Sequence, residues 1–134
     1  MLVGQTSRYE DEFTKIMVKE KLIASRGELG SIERSLRYVL SSMKDWEVLS
    51  EGKNQSYYVA NRRSFKTSNG QLEAWLLACA LQAHPASQLP YEDLIRLPEL
   101  FPFIINVSVD VLRNQKWFNV YRQGAGLIMV GLDE

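Results

Sequence analysis

The chain has 134 residues, sixteen Lys/Arg against sixteen Asp/Glu, and a single cysteine, Cys79. That length allows one domain or two very small ones. Its 46% apolar content is ordinary for a soluble globular protein, and the lone cysteine excludes an intrachain disulfide, which suits a reducing compartment. No run approaches the roughly 20 apolar residues of a membrane span, and "MLVGQTSRYEDEF" shows no charged segment leading into the apolar core of a secretory signal; the expectation is a cytoplasmic protein with no membrane partner.

In chain order, residues 8–25 ("RYEDEFTKIMVKEKLIAS") read as a helix, with Glu10, Asp11 and Glu12 suiting the positive end of its dipole. The glycines of "RGELG" break it. Ser31 is the expected N-cap of the next helix, along which Ile32, Leu36, Val39, Leu40 and Met43 form an apolar stripe opposite Arg34, Arg37, Ser41 and Lys44. Two β-prone runs, around Val48 and around Tyr57–Val59, then flank a polar Gly-Lys-Asn-Gln turn and predict a hairpin. "TSNG", residues 67–70, is the expected boundary between two halves.

Beyond it, "QLEAWLLACALQAH" is a helix with apolar residues on nearly every side. Trp75 and Cys79 are therefore expected to be buried, between the halves or between subunits. "YEDLIRLPELFPF" predicts a short helix cut by Pro98 and Pro102. A helix over 106–115 follows, and "WFNVYRQGAGLIMVGL" closes the chain as a second hairpin, with Gly124 and Gly126 free to take positive φ.

The zero net charge conceals a split. Residues 1–68 hold twelve Lys/Arg and nine Asp/Glu, and residues 69–134 hold four and seven. Such asymmetry marks either an ordinary solvated surface or an anionic partner for the first half. Little else suggests chemistry. His84, the single histidine, precedes Pro85 at a helix end, where it serves the helix terminus or solvent. Cys79 has no neighbouring base, and one His with one Cys cannot build the usual zinc site. "GQTS", "GELGS" and "GAG" lack the spacing and lysine of a phosphate loop. No enzyme is expected, and no cofactor or metal. Tyr57, Tyr58 and Phe65 beside Arg62 and Arg63 read first as cross-strand packing under solvated arginines, and second as a base-stacking surface.

Laid on itself with an offset of 72, the chain repeats. Glu20, Leu22, Ile23, Ile32, Val39, Leu40, Lys44, Val48 and Gly52 meet identical residues at 92, 94, 95, 104, 111, 112, 116, 120 and 124, and Trp46 meets Phe118. Each half reads as helix, short helix, amphipathic helix and hairpin, an order that resembles the winged helix-turn-helix superfamily. The resemblance implies an α+β, mainly helical fold of two winged-helix-like units in tandem, residues 1–68 and 69–134. The first unit departs from it, since the helix at 71–84 has no counterpart after Met1: either residues 8–17 serve as a shorter first helix or the first unit is incomplete.

What the resemblance implies for function is double-stranded DNA binding. Arg34, Arg37, Ser41 and Lys44 would face the major groove, with Lys53, Arg62, Arg63 and Lys66 on phosphates. The second unit offers Asn106, Arg113, Asn114, Lys116 and Arg122. The expected protein is a non-enzymatic regulator or accessory DNA-binding subunit. The alternative is a protein-interaction scaffold of a larger complex, docking a protein partner or a second copy, for which the acidic second half and the apolar "LPELFPFII" speak.

Overall fold

The stretch expected as one helix over 8–25 is two helices with a strand between them. In the computed structural model, which describes residues 1–28, 30–54 and 56–133, α1 spans Leu2–Tyr9, β1 Phe13–Thr14 and α2 Lys15–Arg26. Thr14 is the reason for the restart. Its hydroxyl accepts from the Met17 amide at 3.2 Å and so caps α2. Phe13, just before it, is drawn into the core and stacks on Tyr58 with ring centroids 5.9 Å apart. Glu10, Asp11 and Glu12 therefore lie outside any first turn. The α1 helix supplies the first helix for which residues 8–17 were one candidate.

Next come α3 (Ile32–Asp45), β2 (Leu49–Glu51) and β3 (Tyr57–Ala60). Ser31 precedes α3, but its side chain makes no capping bond. The buried stripe of α3 is Ile32, Leu36 and Leu40, spaced i, i+4, i+8. Val39, expected within it, is 51% exposed. The hairpin forms where it was expected, with Leu49 opposite Ala60 and Glu51 opposite Tyr58, and β1 adds to β3 to give the order β1-β3-β2. Gln55 of its turn lies outside the described residues, as does Leu29 of the "RGELG" break. These elements form one compact unit, Met1–Arg62, whose core is Val3, Phe13, Val18, Ile32, Leu36, Leu40 and Leu49.

A second compact unit, Arg63–Glu134, begins with β4 (Arg63–Ser64) and contains α4 (Gln71–Ala83), β5 (Gln88–Pro90), α5 (Tyr91–Leu94), β6 (Phe103–Ile104), α6 (Val109–Asn114), β7 (Phe118–Gln123) and β8 (Leu127–Leu132). "TSNG" becomes a 3-10 turn, Ser68–Gly70, leading into α4. Strands β5, β8 and β7 form an antiparallel sheet in that order, and β4 pairs with β6 in parallel. In the final hairpin Gly124 and Gly126 take φ of 60° and 100°, as the turn requires. Ala74, Leu77, Leu81, Leu94, Leu100, Ile105, Val107, Leu112, Phe118 and Val130 make the core. Contrary to expectation, α4 is buried on one side only: Trp75 is 54% exposed, and Cys79 and Leu72 are exposed too. Of α4's ring of apolar residues, Ala74, Leu77 and Leu81 are buried and Leu76, Ala78 and Ala80 pack partly against the core, while the arc of Leu72, Trp75 and Cys79 faces outward.

The whole is a mixed α+β fold. Among the described residues no helix is long and apolar enough to cross a membrane. Setting β4, β6 and the 3-10 turns aside, both units run helix, strand, helix, helix, strand, strand, with the first strand beside the third. The correspondence is by element and not by an unbroken offset. At +72, helix meets helix at 20–22 and 37–42 and strand meets strand at 49–51, but the helical residues 32–36 fall on 104–108, where β6 ends and an extended link follows. Leu40 and Leu112 are both fully buried, whereas Ile104 and Trp46 are exposed where Ile32 and Phe118 are buried. The cause is an enlarged connection: α5 and α6 are separated by residues 95–108, α2 and α3 by 27–31 only.

One charge belongs to the scaffold. Glu73 is buried at the start of α4 and accepts from the Thr67 amide at 2.8 Å and from the Thr67 hydroxyl. Burial alone would raise its carboxyl, but the two Thr67 donors, Glu73's own amide and the Lys66 charge outweigh it and hold the group below its ordinary 4.5. A carboxylate depressed on folding contributes stability that is complete above the unfolded value, and that is lost as pH falls from there through the lower folded one. Glu73→Gln is therefore expected to destabilise the second unit by about 1–3 kcal/mol at pH 7 and to weaken its acid sensitivity. Urea midpoints of wild type and variant across pH 3–7 should converge toward the acid end; parallel profiles would refute this role.

Candidate nucleic-acid interface

Burying Ile32, Leu36 and Leu40 turns the opposite side of α3 to solvent. There stand Arg34, Arg37, Tyr38 and Ser41, all exposed. Tyr38 is 56% exposed, and the guanidinium carbons of Arg34 and Arg37 lie 5.8 Å and 5.5 Å from its ring centroid. Cation–π attraction of this kind is worth about 0.5–1 kcal/mol at an exposed site and holds the two arginines on one face. Among the described residues neither arginine forms an ion pair with a carboxylate. Two planar donors and an aromatic face thus stand together, able to meet phosphates, base edges or base faces.

Lys44 differs. Its ammonium bonds Glu51 of β2 at 2.6 Å, which raises its pKa above the ordinary lysine value and offsets its charge locally. Glu33, also on α3, is engaged by Lys15 and Lys19 of α2 at 3.2 Å and 2.6 Å; those bonds lower its carboxyl and remove its repulsion for an anion.

On the hairpin, the Lys53 ammonium sits 4.1 Å from the Tyr57 ring centroid while its amide donates to Glu12 at 2.8 Å. Glycine is needed beside it at position 52. A Cβ there would come within 2.8 Å of the Tyr57 Cβ and 2.9 Å of the Glu12 carboxylate. Arg62 turns inward to α1, donating to the Ser7 hydroxyl at 2.9 Å and the Gly4 carbonyl at 3.5 Å. Arg63 and Lys66 belong to the second unit: Arg63 opens β4, its amide bonded to the Pro102 carbonyl at 3.0 Å, and Lys66 follows on the same segment.

The eight residues expected to form one basic surface are thus distributed. Arg34, Arg37 and Ser41 share a face, Lys53 tips the hairpin, Lys44 and Arg62 are engaged within the first unit, and Arg63 and Lys66 stand on the second. Counted at Arg62, the units carry ten Lys/Arg against nine Asp/Glu and six against seven, so the charge split shrinks from three units of either sign to one. In the second unit Arg113 pairs with Asp110 at 3.1 Å on the six-residue α6. Sequence reasoning missed Tyr38. Its spacing was the available signal, since it lies four residues after Arg34 and next to Arg37. Trp46, which the offset of 72 sets against the buried Phe118, is 72% exposed at the end of α3.

Among the described residues of this arrangement, no nucleophile is paired with a base. The Nδ1 of His84 accepts from the Ala86 amide at 3.0 Å, closing the end of α4, and the described residues contain no cluster of three His, Cys, Asp or Glu side chains that could hold a metal. No family model, curated protein or solved structure matches the chain.

Proposed function

We propose that the protein is a non-enzymatic, double-stranded-DNA-binding protein, a regulator or an accessory DNA-binding subunit, built from two winged-helix-like units in tandem. The α3 helix enters the major groove and the β2–β3 hairpin lies on the phosphate backbone. The shared element order and the first-beside-third strand arrangement support the fold reading. The observation that carries the function is the exposed Arg34–Tyr38–Arg37 cluster, unopposed by carboxylate ion pairs, on the face of α3 turned from the core. Arg37 and Ser41 address base edges, and Arg34 and Lys53 address phosphates.

Anisotropy titration with a mixed-sequence duplex tests this. Binding is expected at about 50 mM salt, with a log–log salt slope near −2 for the roughly two phosphates neutralised by Arg34 and Lys53. Absence of duplex binding at that salt rejects the reading in favour of a second one, a protein-interaction subunit. The exposed apolar side of α4 is what favours that alternative.

A further inference from the structure

Exposed residues of α4, Leu72, Trp75 and Cys79, with the partly buried Leu76 at their inner edge, recur at i, i+3, i+7 and i+4, the spacing of one continuous helical face. The helix has a single charged residue, Glu73, and it is buried, so this face carries no charge. Beside it Phe103 of β6 is exposed and meets Phe65 edge to face at 5.4 Å. Two hollows flank these side chains. One, of about 550 Å³, is bounded by Arg63 and Lys66 and reaches Leu72; the other, of about 280 Å³, is bounded by Glu99 and reaches Cys79 and Ala80. Leu76 and Phe103 line both. Together they make one trough with an apolar middle, a basic end near the start of α4 and an acidic end near its finish.

We propose that this trough is a homodimer interface, occupied by the same trough of a second copy with the two α4 helices antiparallel. A two-fold interface must be self-complementary. Rotation about an axis through Leu76 and Phe103 lays apolar middle on apolar middle and sets Lys66 of each copy beside Glu99 of the other. Like ends never meet, so the charge pattern selects this orientation over the parallel one. Trp75, half exposed and midway between Leu72 and Cys79 on this face of α4, is the anchor such a patch needs, because buried aromatic residues dominate interface energetics. A stable dimer buries on the order of 1,600 Å² in all, which engages the flanking phenylalanines of both copies as well as α4.

Sedimentation equilibrium of the whole chain, from about 1 to about 200 μM, tests the proposal. A monomer–dimer equilibrium is expected, with Trp75→Glu weakening it at least about 30-fold. Its side chain is exposed, so the fold should survive, which circular dichroism checks. Lys66→Glu should weaken the dimer about 10-fold, and adding Glu99→Lys should restore it. Maleimide labelling of Cys79 gives an independent reading: protection rises with concentration in wild type and stays low in Trp75→Glu. A monomer throughout the range overturns the proposal. So does a dimer that ignores Trp75, a charge exchange that restores nothing, or a Cys79 thiol already protected in the monomer.

Discussion

Phe13→Ala is expected to lower the stability of the first unit by about 3–5 kcal/mol, the cost of emptying a fully packed aromatic site. Phe13 is fully buried, and its ring stacks on Tyr58 at an interplanar angle of 28°. It also fixes the register of β1 against β3, being paired with Tyr58 along the backbone. Among the described residues of the unit, six other apolar residues are buried to a similar degree, a core too small to close over a hole of that size. Whole domains are stable by about 5–15 kcal/mol, and a unit this small sits at the low end. Hydrogen exchange read peptide by peptide should show protection falling across α1 to β3 and persisting in α4 and β8. An unchanged first unit would show that Phe13 does not hold this core together.

Replacing Arg34 and Arg37 together by alanine is expected to weaken duplex binding by about 100-fold at low salt. Each good contact to a base edge is worth about 1–3 kcal/mol. Because the variant also gives up the phosphate-neutralising charge of Arg34, its salt slope should flatten by about one. Both side chains are exposed and each gives up one cation–π contact with Tyr38, so stability should fall by no more than about 1–2 kcal/mol. Arg62→Ala should behave in the opposite way. Its guanidinium ties the chain after β3 to Ser7 and Gly4 of α1, so the loss falls on the first unit's stability and leaves the slope little changed. Anisotropy titrations over a salt series, paired with urea melts, separate the two. A double variant that binds like wild type would remove α3 from the interface.

The elements with strong periodicity were legible in the sequence. Ile32, Leu36 and Leu40 mark the inward side of α3, and the two hairpins announce themselves by β-prone runs around glycine-bearing turns. Where reading failed, the deciding contact lay far along the chain or was absent from it. Strands β1 and β5 have two and three residues, too few for alternation to register, and β1 exists because Phe13 meets Tyr58 forty-five positions away. Glu10–Glu12 fit a helix start as well as they fit a link, and only the Thr14 cap decides. In α4 the apolar residues on every side said how much surface needed covering, not what would cover it. Within the candidate site, arginine and lysine positions could be picked out, but their engagement could not. Arg62 facing α1 and Lys44 held by Glu51 are consequences of chain folding, as is the assignment of Arg63 and Lys66 to the second unit.

The long connection 95–108 leaves α6 six residues, against fourteen in α3. At 1.5 Å per residue these are rods of about 9 Å and about 21 Å, and the major groove of DNA is about 12 Å wide. Only the longer rod can cross such a channel and still project at both rims. A single chain would then own one reading head and address one short stretch of base pairs. Two chains joined back to back by a two-fold axis would own two, and the sequence they read would have to repeat itself inverted.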